Sequence, residues 1–266
     1  MTRAMRSEWV KLRRPTMLVG VLLTFALLGA LVTLLTFASL IEDSVGPGAS
    51  GGLLAAPVGW MLGLTEVSVL LGVAALVVCA SSFAGEYTHG TLRNLLLRQH
   101  DRRALLAGKF AALALLLAAG ALAAVLAAVA VAFAFSVATG LPSSDWLSGP
   151  GLRALGQTTA GLMVALVGFG AVGAVLGVLV RSTALAVGLG VGYVLVVETL
   201  LRAALPELVG WLPGQLLSGL VSAGSEAISA PAEVVSMPVA AVRLGVYFAA
   251  AIGVTFVLFD RRDVTS

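Results

Sequence analysis

Between Pro15 and Glu42 the chain runs for 26 residues, Thr16 to Ile41, without one charged side chain. Wound as an α-helix, that run is about 39 Å long and apolar on every face. A helix in a soluble domain keeps a polar stripe for water, whereas one that crosses a bilayer core of roughly 30 Å needs about 20 consecutive apolar residues. The run is also too long for the apolar core of a signal peptide, about 7–15 residues, although arginines precede it. A chain containing such a segment must place it across a membrane.

Five further segments meet the same criterion. Trp60 to Phe83 is interrupted only by Glu66, and Phe110 to Ala138 carries no charge. Leu155 to Val180 and Thr183 to Leu201 are separated by Arg181-Ser182, and the second of these contains Glu198. Val239 to Phe259 includes Arg243 near its start. The composition agrees: 59% of the 266 residues are hydrophobic and 11% charged, with a mean hydropathy of +1.06. Those charges are too few to cover a soluble domain, and the hydrophobicity is too high for disorder. The expected fold is all-α and polytopic, with six transmembrane helices in a single membrane domain spanning residues 1–266.

The charges orient this bundle. With both termini on the cytoplasmic side, as an even number of spans requires, 13 of the 16 basic residues fall inside. They are Arg3, Arg6, Lys11, Arg13 and Arg14 before the first span, Arg93, Arg98, Arg102, Arg103 and Lys109 after the second, then Arg181, Arg261 and Arg262. The outer segments hold Glu42, Asp43, Asp145, Glu207, Glu226 and Glu233. A formal charge of +3 is thereby accounted for by topology and anionic lipid, and no zinc-finger spacing or aromatic–basic stripe points to nucleic acid. The single cysteine, Cys79, lies within a span and excludes an intrachain disulfide. His89 and His100 stand apart from any cysteine cluster, so no metal site is expected.

Two polar stretches are shaped for more than topology. Residues 3–14 place Met5, Trp9 and Leu12 at helical spacing among basic residues, the pattern of a helix lying in the headgroup plane. Residues 83–109 form the most concentrated polar segment, with Leu92, Leu95 and Leu96 as an apolar face beside Arg93, Arg98, Arg102 and Arg103. Glu86 stands at the membrane exit, within reach of a nearby arginine, and Asp101 is placed to cap the helix of the third span. By composition alone, this stretch fits an ordinary cytoplasmic loop as well as a short rigid projection that receives force from a partner.

The opening Ser7-Glu8-Trp9-Val10-Lys11-Leu12-Arg13-Arg14-Pro15 resembles the N-terminus of ABC-2-type transporter permeases, the membrane subunits of bacterial ABC exporters. Phe83-Ala84-Gly85-Glu86-Tyr87-Thr88-His89-Gly90-Thr91-Leu92-Arg93 is similar to that family's segment after span two, as are Arg98 to Arg103 and the closing Phe259-Asp260-Arg261-Arg262-Asp263. The resemblance implies an interfacial elbow helix at residues 3–15, including Trp9, Lys11, Arg13 and Arg14. It also implies a coupling region at residues 86–103 that docks on a separate ATP-hydrolysing subunit, with Glu86, Gly90, Thr91, Leu92, Arg93, Arg98 and Arg102 as the coupling residues. Position 100 is His where many relatives have Pro, which loosens the expected turn. The implied complex pairs two permeases, identical or related, with two soluble ABC ATPase subunits in the bacterial cell membrane, surrounded by lipid. ATP and Mg belong to the partner: Gly108-Lys109 is followed by Phe110 and lacks the upstream glycine of a phosphate-binding loop. No nucleophile–base arrangement is evident either, so the chain is expected to carry no catalytic, cofactor-binding or metal site.

Within the membrane, Glu66, Glu198 and Arg243 are candidates for a transport pathway or an ion pair, since charges exposed to lipid are costly. Both acids stand toward outer span ends, where a simple interfacial position is the alternative. Gly173/Gly177 and Gly188/Gly192 have the four-residue spacing of close helix contacts, within the chain or between copies. Residues 202–238 are too apolar for a free loop and too proline-interrupted for a span, which predicts a re-entrant or interfacial segment shaping the outward end. The connection from Pro142 to Pro150 reads as a simple interfacial turn. The resulting expectation is an ATP-driven export permease for a hydrophobic or amphipathic substrate, working by alternating access. The competing readings are an ion-coupled secondary transporter using Glu66 and Glu198, and a membrane anchor that recruits a soluble partner through residues 86–103.

Overall fold

The computed structural model describes residues 15–44, 54, 56–88, 102–222 and 237–261. The expected elbow helix with Trp9, Lys11, Arg13 and Arg14 lies outside them. So do residues 89–101, with Gly90, Thr91, Leu92, Arg93, Arg98 and Asp101, and residues 223–236 of the long outer connection. Every regular element among the described residues is helical. The long ones are α1 (Pro15–Ser44), α2 (Leu62–Thr88), α3 (Arg102–Thr139), α4 (Gly149–Val180), α5 (Thr183–Ala204) and α7 (Met237–Arg261). A short α6 (Pro213–Val221) precedes the last. Among the described residues, six helices are long and apolar enough to cross a membrane, in agreement with the six charge-poor runs.

Several helix ends exceed the sequence expectation, most clearly where α2 finishes and α3 begins. α2 continues five residues past Phe83 to Thr88, and α3 starts at Arg102, eight residues ahead of Phe110. A helix does not stop where the apolar run stops, because its backbone hydrogen bonds continue into the polar turns outside. At 38 residues α3 is about 57 Å long, far more than the hydrocarbon core requires. α4 is started by Ser148, whose hydroxyl accepts from Gly151 N at 3.3 Å, with Pro150 in the first turn. It ends at Arg181, which adopts the left-handed conformation at φ 57° and returns its N–H to Gly177 O at 3.2 Å.

The centre of the bundle is the pair α2–α4, the most extensive helix contact, with α1 and α3 packed together on one flank. Small residues allow this. A β-carbon on Gly173 would overlap the carbonyl oxygen of Leu76, and one on Gly177 would lie 2.8 Å from Ala80 O. Two backbones therefore touch along two turns, the close approach that drives helix association where burial from water supplies no force. Gly188 and Gly192, by contrast, face open space on α5, so of the two glycine pairs only the one on α4 is used within the chain.

At the α1-terminal, α3-terminal end an aromatic cluster closes the bundle. Trp146 is fully buried and stacks on Trp60 with ring centroids 6.2 Å apart, and Phe37 and Phe133 meet it edge-on. Its indole N–H donates to Leu54 O at 2.9 Å. The connection after Pro142 is thus a packed cap and not the simple interfacial turn expected.

These contacts predict opposite outcomes for two glycines. Gly173→Leu has to part α2 from α4 and is expected to cost about 2–3 kcal/mol, read as a lower unfolding temperature in detergent. Gly188→Ala meets nothing and is expected to leave stability unchanged or raise it by about 0.5 kcal/mol.

Candidate functional site

The polar chemistry of the described residues gathers at the two ends of the bundle. The first is the end where α2 finishes and α3 begins, on either side of residues 89–101. Glu86 is in the last turn of α2, and Lys109 is two turns into α3. Their side chains meet at 2.8 Å with little exposure, 15% and 5% respectively. Lys109 also donates to Ser82 O at 2.8 Å and lies 4.5 Å from the centre of the Phe83 ring. A buried ammonium needs a carboxylate and further acceptors to offset its lost hydration, and this one has both. Both flanks of the 89–101 segment are thereby fastened to each other inside the bundle.

Tyr87, one residue on from Glu86, carries the guanidinium of Arg181 5.5 Å above its ring. Arg181 is the one non-glycine residue with positive φ among those described. The left-handed conformation costs an ordinary side chain roughly 1–2 kcal/mol, and the stacking on Tyr87 helps hold it. The α4–α5 corner is thus tied to the same end of α2 that carries Glu86. Of the expected coupling residues, the structure describes the side chain of Glu86; Arg102 opens α3, and its side chain is outside the description.

The second polar site is at the opposite end. The first half of α5 packs on α2 and α4, and the helix then widens into a π-turn at Tyr193–Val197. Glu198 follows at once and is 1% exposed. After Ala204 the chain turns back through the 3-10 segment Pro206–Trp211 and enters α6, whose Leu216, Leu217, Leu220 and Val221 are buried against α2, α4 and α7. One carboxylate oxygen of Glu198 accepts from Gly214 N at 2.6 Å and Gln215 N at 3.2 Å, the first free amides of α6. Its other oxygen is buried without a hydrogen-bond partner among the described residues. The Gln215 carboxamide, oriented with its oxygen outward, faces the guanidinium of Arg202.

The far side of this element is gripped by α7. Arg243 donates to Gly210 O and lies 4.1 Å from the Trp211 ring centre, and Tyr247 Oη donates to Trp211 O at 3.2 Å. At the C-terminal end of α6, Thr158 Oγ1 donates to Val221 O at 3.0 Å, and Gly161 leaves room for the Leu220 carbonyl. α6 therefore runs from the level of Gly72 and Phe169, beside Leu217, back toward the start of α4. It is a plug inserted between the spans.

The three intramembrane candidates are not brought together. Glu198 serves α6, Arg243 serves the turn before it, and Glu66 is exposed on α2 with no partner among the described residues. Residues that the sequence reading passed over include Lys109 as the partner of Glu86, and Thr158, Gly161 and Tyr247 around α6. Lys109 carried a signal, being the last charge before an uninterrupted apolar run. The other three look like routine span residues. No group of three or more His, Cys, Asp or Glu able to hold a metal occurs among the described residues.

Among the described residues, six apolar helices long enough to cross a membrane, two of them a close-packed central pair, make this a multi-pass membrane protein with its polar contacts gathered at the two ends. Residues 4–197 match the model of a family described as ABC-2 family transporter protein, and the chain belongs to that family. The matched stretch stops one residue short of Glu198, so α6 and α7 lie beyond it. No curated protein matches the chain.

The Glu86–Lys109 pair yields a quantitative expectation. Lys109→Met leaves a poorly solvated carboxylate and is expected to lower stability by about 3 kcal/mol, whereas Lys109→Met with Glu86→Leu recovers most of that loss. Thermal unfolding of the two variants in detergent measures the difference.

Proposed function

We propose that the chain is the permease subunit of an ATP-driven ABC exporter, with residues 86–103 receiving the force of a soluble ATPase partner. The observation that carries this reading is the buried Glu86–Lys109 pair, which clamps the flanks of that segment to α2 and α3. A segment so anchored moves the helices when it is pushed, where a slack loop would absorb the motion. Tyr87 and Arg181 extend the same fastening to the corner between α4 and α5.

The orientation that puts 13 of 16 basic residues in the cytoplasm puts this end there as well, within reach of an ATPase. ATP and Mg act in that partner. Glu86, Gly90, Thr91, Leu92, Arg93, Arg98 and Arg102 form the docking and turning residues. Trp9, Lys11, Arg13 and Arg14 hold the elbow helix against anionic headgroups. A second copy, or a related permease, completes the path, and the exposed Gly188/Gly192 face of α5 is open for it. A hydrophobic or amphipathic substrate then passes by alternating access, with α6 closing the outward end. The ion-coupled alternative is weakened because Glu198 is committed to the N-terminus of α6.

Reconstitution with a candidate ABC ATPase tests the proposal. Arg93→Glu with Leu92→Glu is expected to reduce ATPase retention at least about tenfold, a loss of about 1.4 kcal/mol, while Glu66→Gln leaves it unchanged. Transport driven by a proton or sodium gradient, with no ATPase bound, would overturn it.

A further inference from the structure

Among the described residues Glu198 is the one acid that is almost completely buried, and all of its described hydrogen bonds go to a helix that is not its own. α5 spends a π-turn directly before it, and such a turn shifts the register of everything that follows, so the carboxylate comes round toward α6. The fit at the contact is close. A β-carbon on Gly214 would lie 2.6 Å from Glu198 Oε1, so glycine is the residue that lets the carboxylate reach the first amides of α6. Pro213 before it has no N–H to satisfy. A carboxylate at the N-terminus of a helix gains both hydrogen bonds and a favourable dipole. Besides this contact, α6 is held by Arg202 on the Gln215 carboxamide, by apolar contacts, by the Thr158 hydrogen bond and by the Gly161 notch.

We infer that Glu198 is a positioning residue for transport: its carboxylate latches the N-terminus of α6 inside the bundle, and α6 leaves its seat when Gly214 and Gln215 part from it. This rests on the exporter reading for its place in the transport cycle, while the latch itself is a property of the permease alone. The half of α5 ahead of the π-turn starts at the corner held by Arg181 on Tyr87, so a displacement of that corner is delivered along α5 to Glu198. The family match covers residues 4–197, and Glu198 and α6 follow directly after it.

The test uses the full chain with Cys79→Ala and a reporter Leu217→Cys, a position on α6 whose side chain is fully buried against the spans in the latched state. A water-soluble maleimide then reads how often α6 leaves its seat. Glu198→Ala is expected to raise the labelling rate at least about tenfold. Glu198→Gln keeps a carbonyl oxygen for the two amides and is expected to fall between Glu198→Ala and the parent, a graded rescue that a general packing defect does not produce. Thermal unfolding is measured in parallel to show that the variants are folded. Labelling of a folded Glu198→Ala at the parent's rate overturns the latch. So does failure of both variants to fold, which would assign Glu198 to the fold as a whole. With a partner ATPase bound, ATP is expected to accelerate labelling in the parent. If it does not while Glu198→Ala remains fast, the exporter reading fails and the latch stands.

Discussion

The contact on which the rest of the bundle depends is the backbone approach of α2 to α4. In lipid, apolar side chains gain nothing by leaving one hydrocarbon surroundings for another, so helices adhere by fit and by polar contacts. Gly173 and Gly177 bring α4 against the carbonyl oxygens of Leu76 and Ala80, which a larger residue at either position would prevent. Each remaining helix is placed relative to that pair. α1 and α3 pack together beside α2, α5 enters over both members, and α6 and α7 lie against α4.

A rigid centre leaves the two ends as the places where movement can begin and finish, and the polar groups are divided between them accordingly. At one end, Lys109, Glu86, Tyr87 and Arg181 bind α2, α3 and the α4–α5 corner into one block. At the other, Glu198, Arg243 and Tyr247 hold an inserted segment by its backbone. The contrast is chemical. A buried ion pair resists rearrangement, because removing either partner strands the other. Backbone amides and carbonyls released at the α6 end can instead turn to water as it enters. The first arrangement suits a region that transmits force, and the second suits a gate.

The sequence was informative where a single physical rule acts on a whole segment. Six charge-poor runs gave six spans, because the cost of placing charge in hydrocarbon applies to every residue of a crossing. The close contact of Gly173/Gly177 was also visible as spacing, although which of two glycine pairs is used inside the chain was not, since Gly188/Gly192 has the same pattern and faces outward. The rest depended on residues brought together from far apart. The Pro142–Pro150 connection read as a simple interfacial turn, yet its Trp146 is buried on Trp60, because the ends of α1 and α3 leave an apolar well beneath it. Glu198 invited pairing with Arg243, yet a helix N-terminus supplied donors that no side-chain pattern displays. Lys109 stood beside the polar segment as one more basic residue, and its value as the partner of Glu86 came from two helices lying side by side.

On the proposed mechanism, force applied at the Glu86–Lys109 end opens the end closed by α6. The direct measurement is the distance between spin labels on two exposed residues at the α6 end, Leu152 at the start of α4 and Val242 on α7, 51% and 68% accessible, in the chain bound to a candidate ABC ATPase. If the two ends are so coupled, this distance changes when the ATPase binds ATP and returns after hydrolysis. A distance that stays constant through the ATP cycle, with the ATPase bound and active, would contradict it.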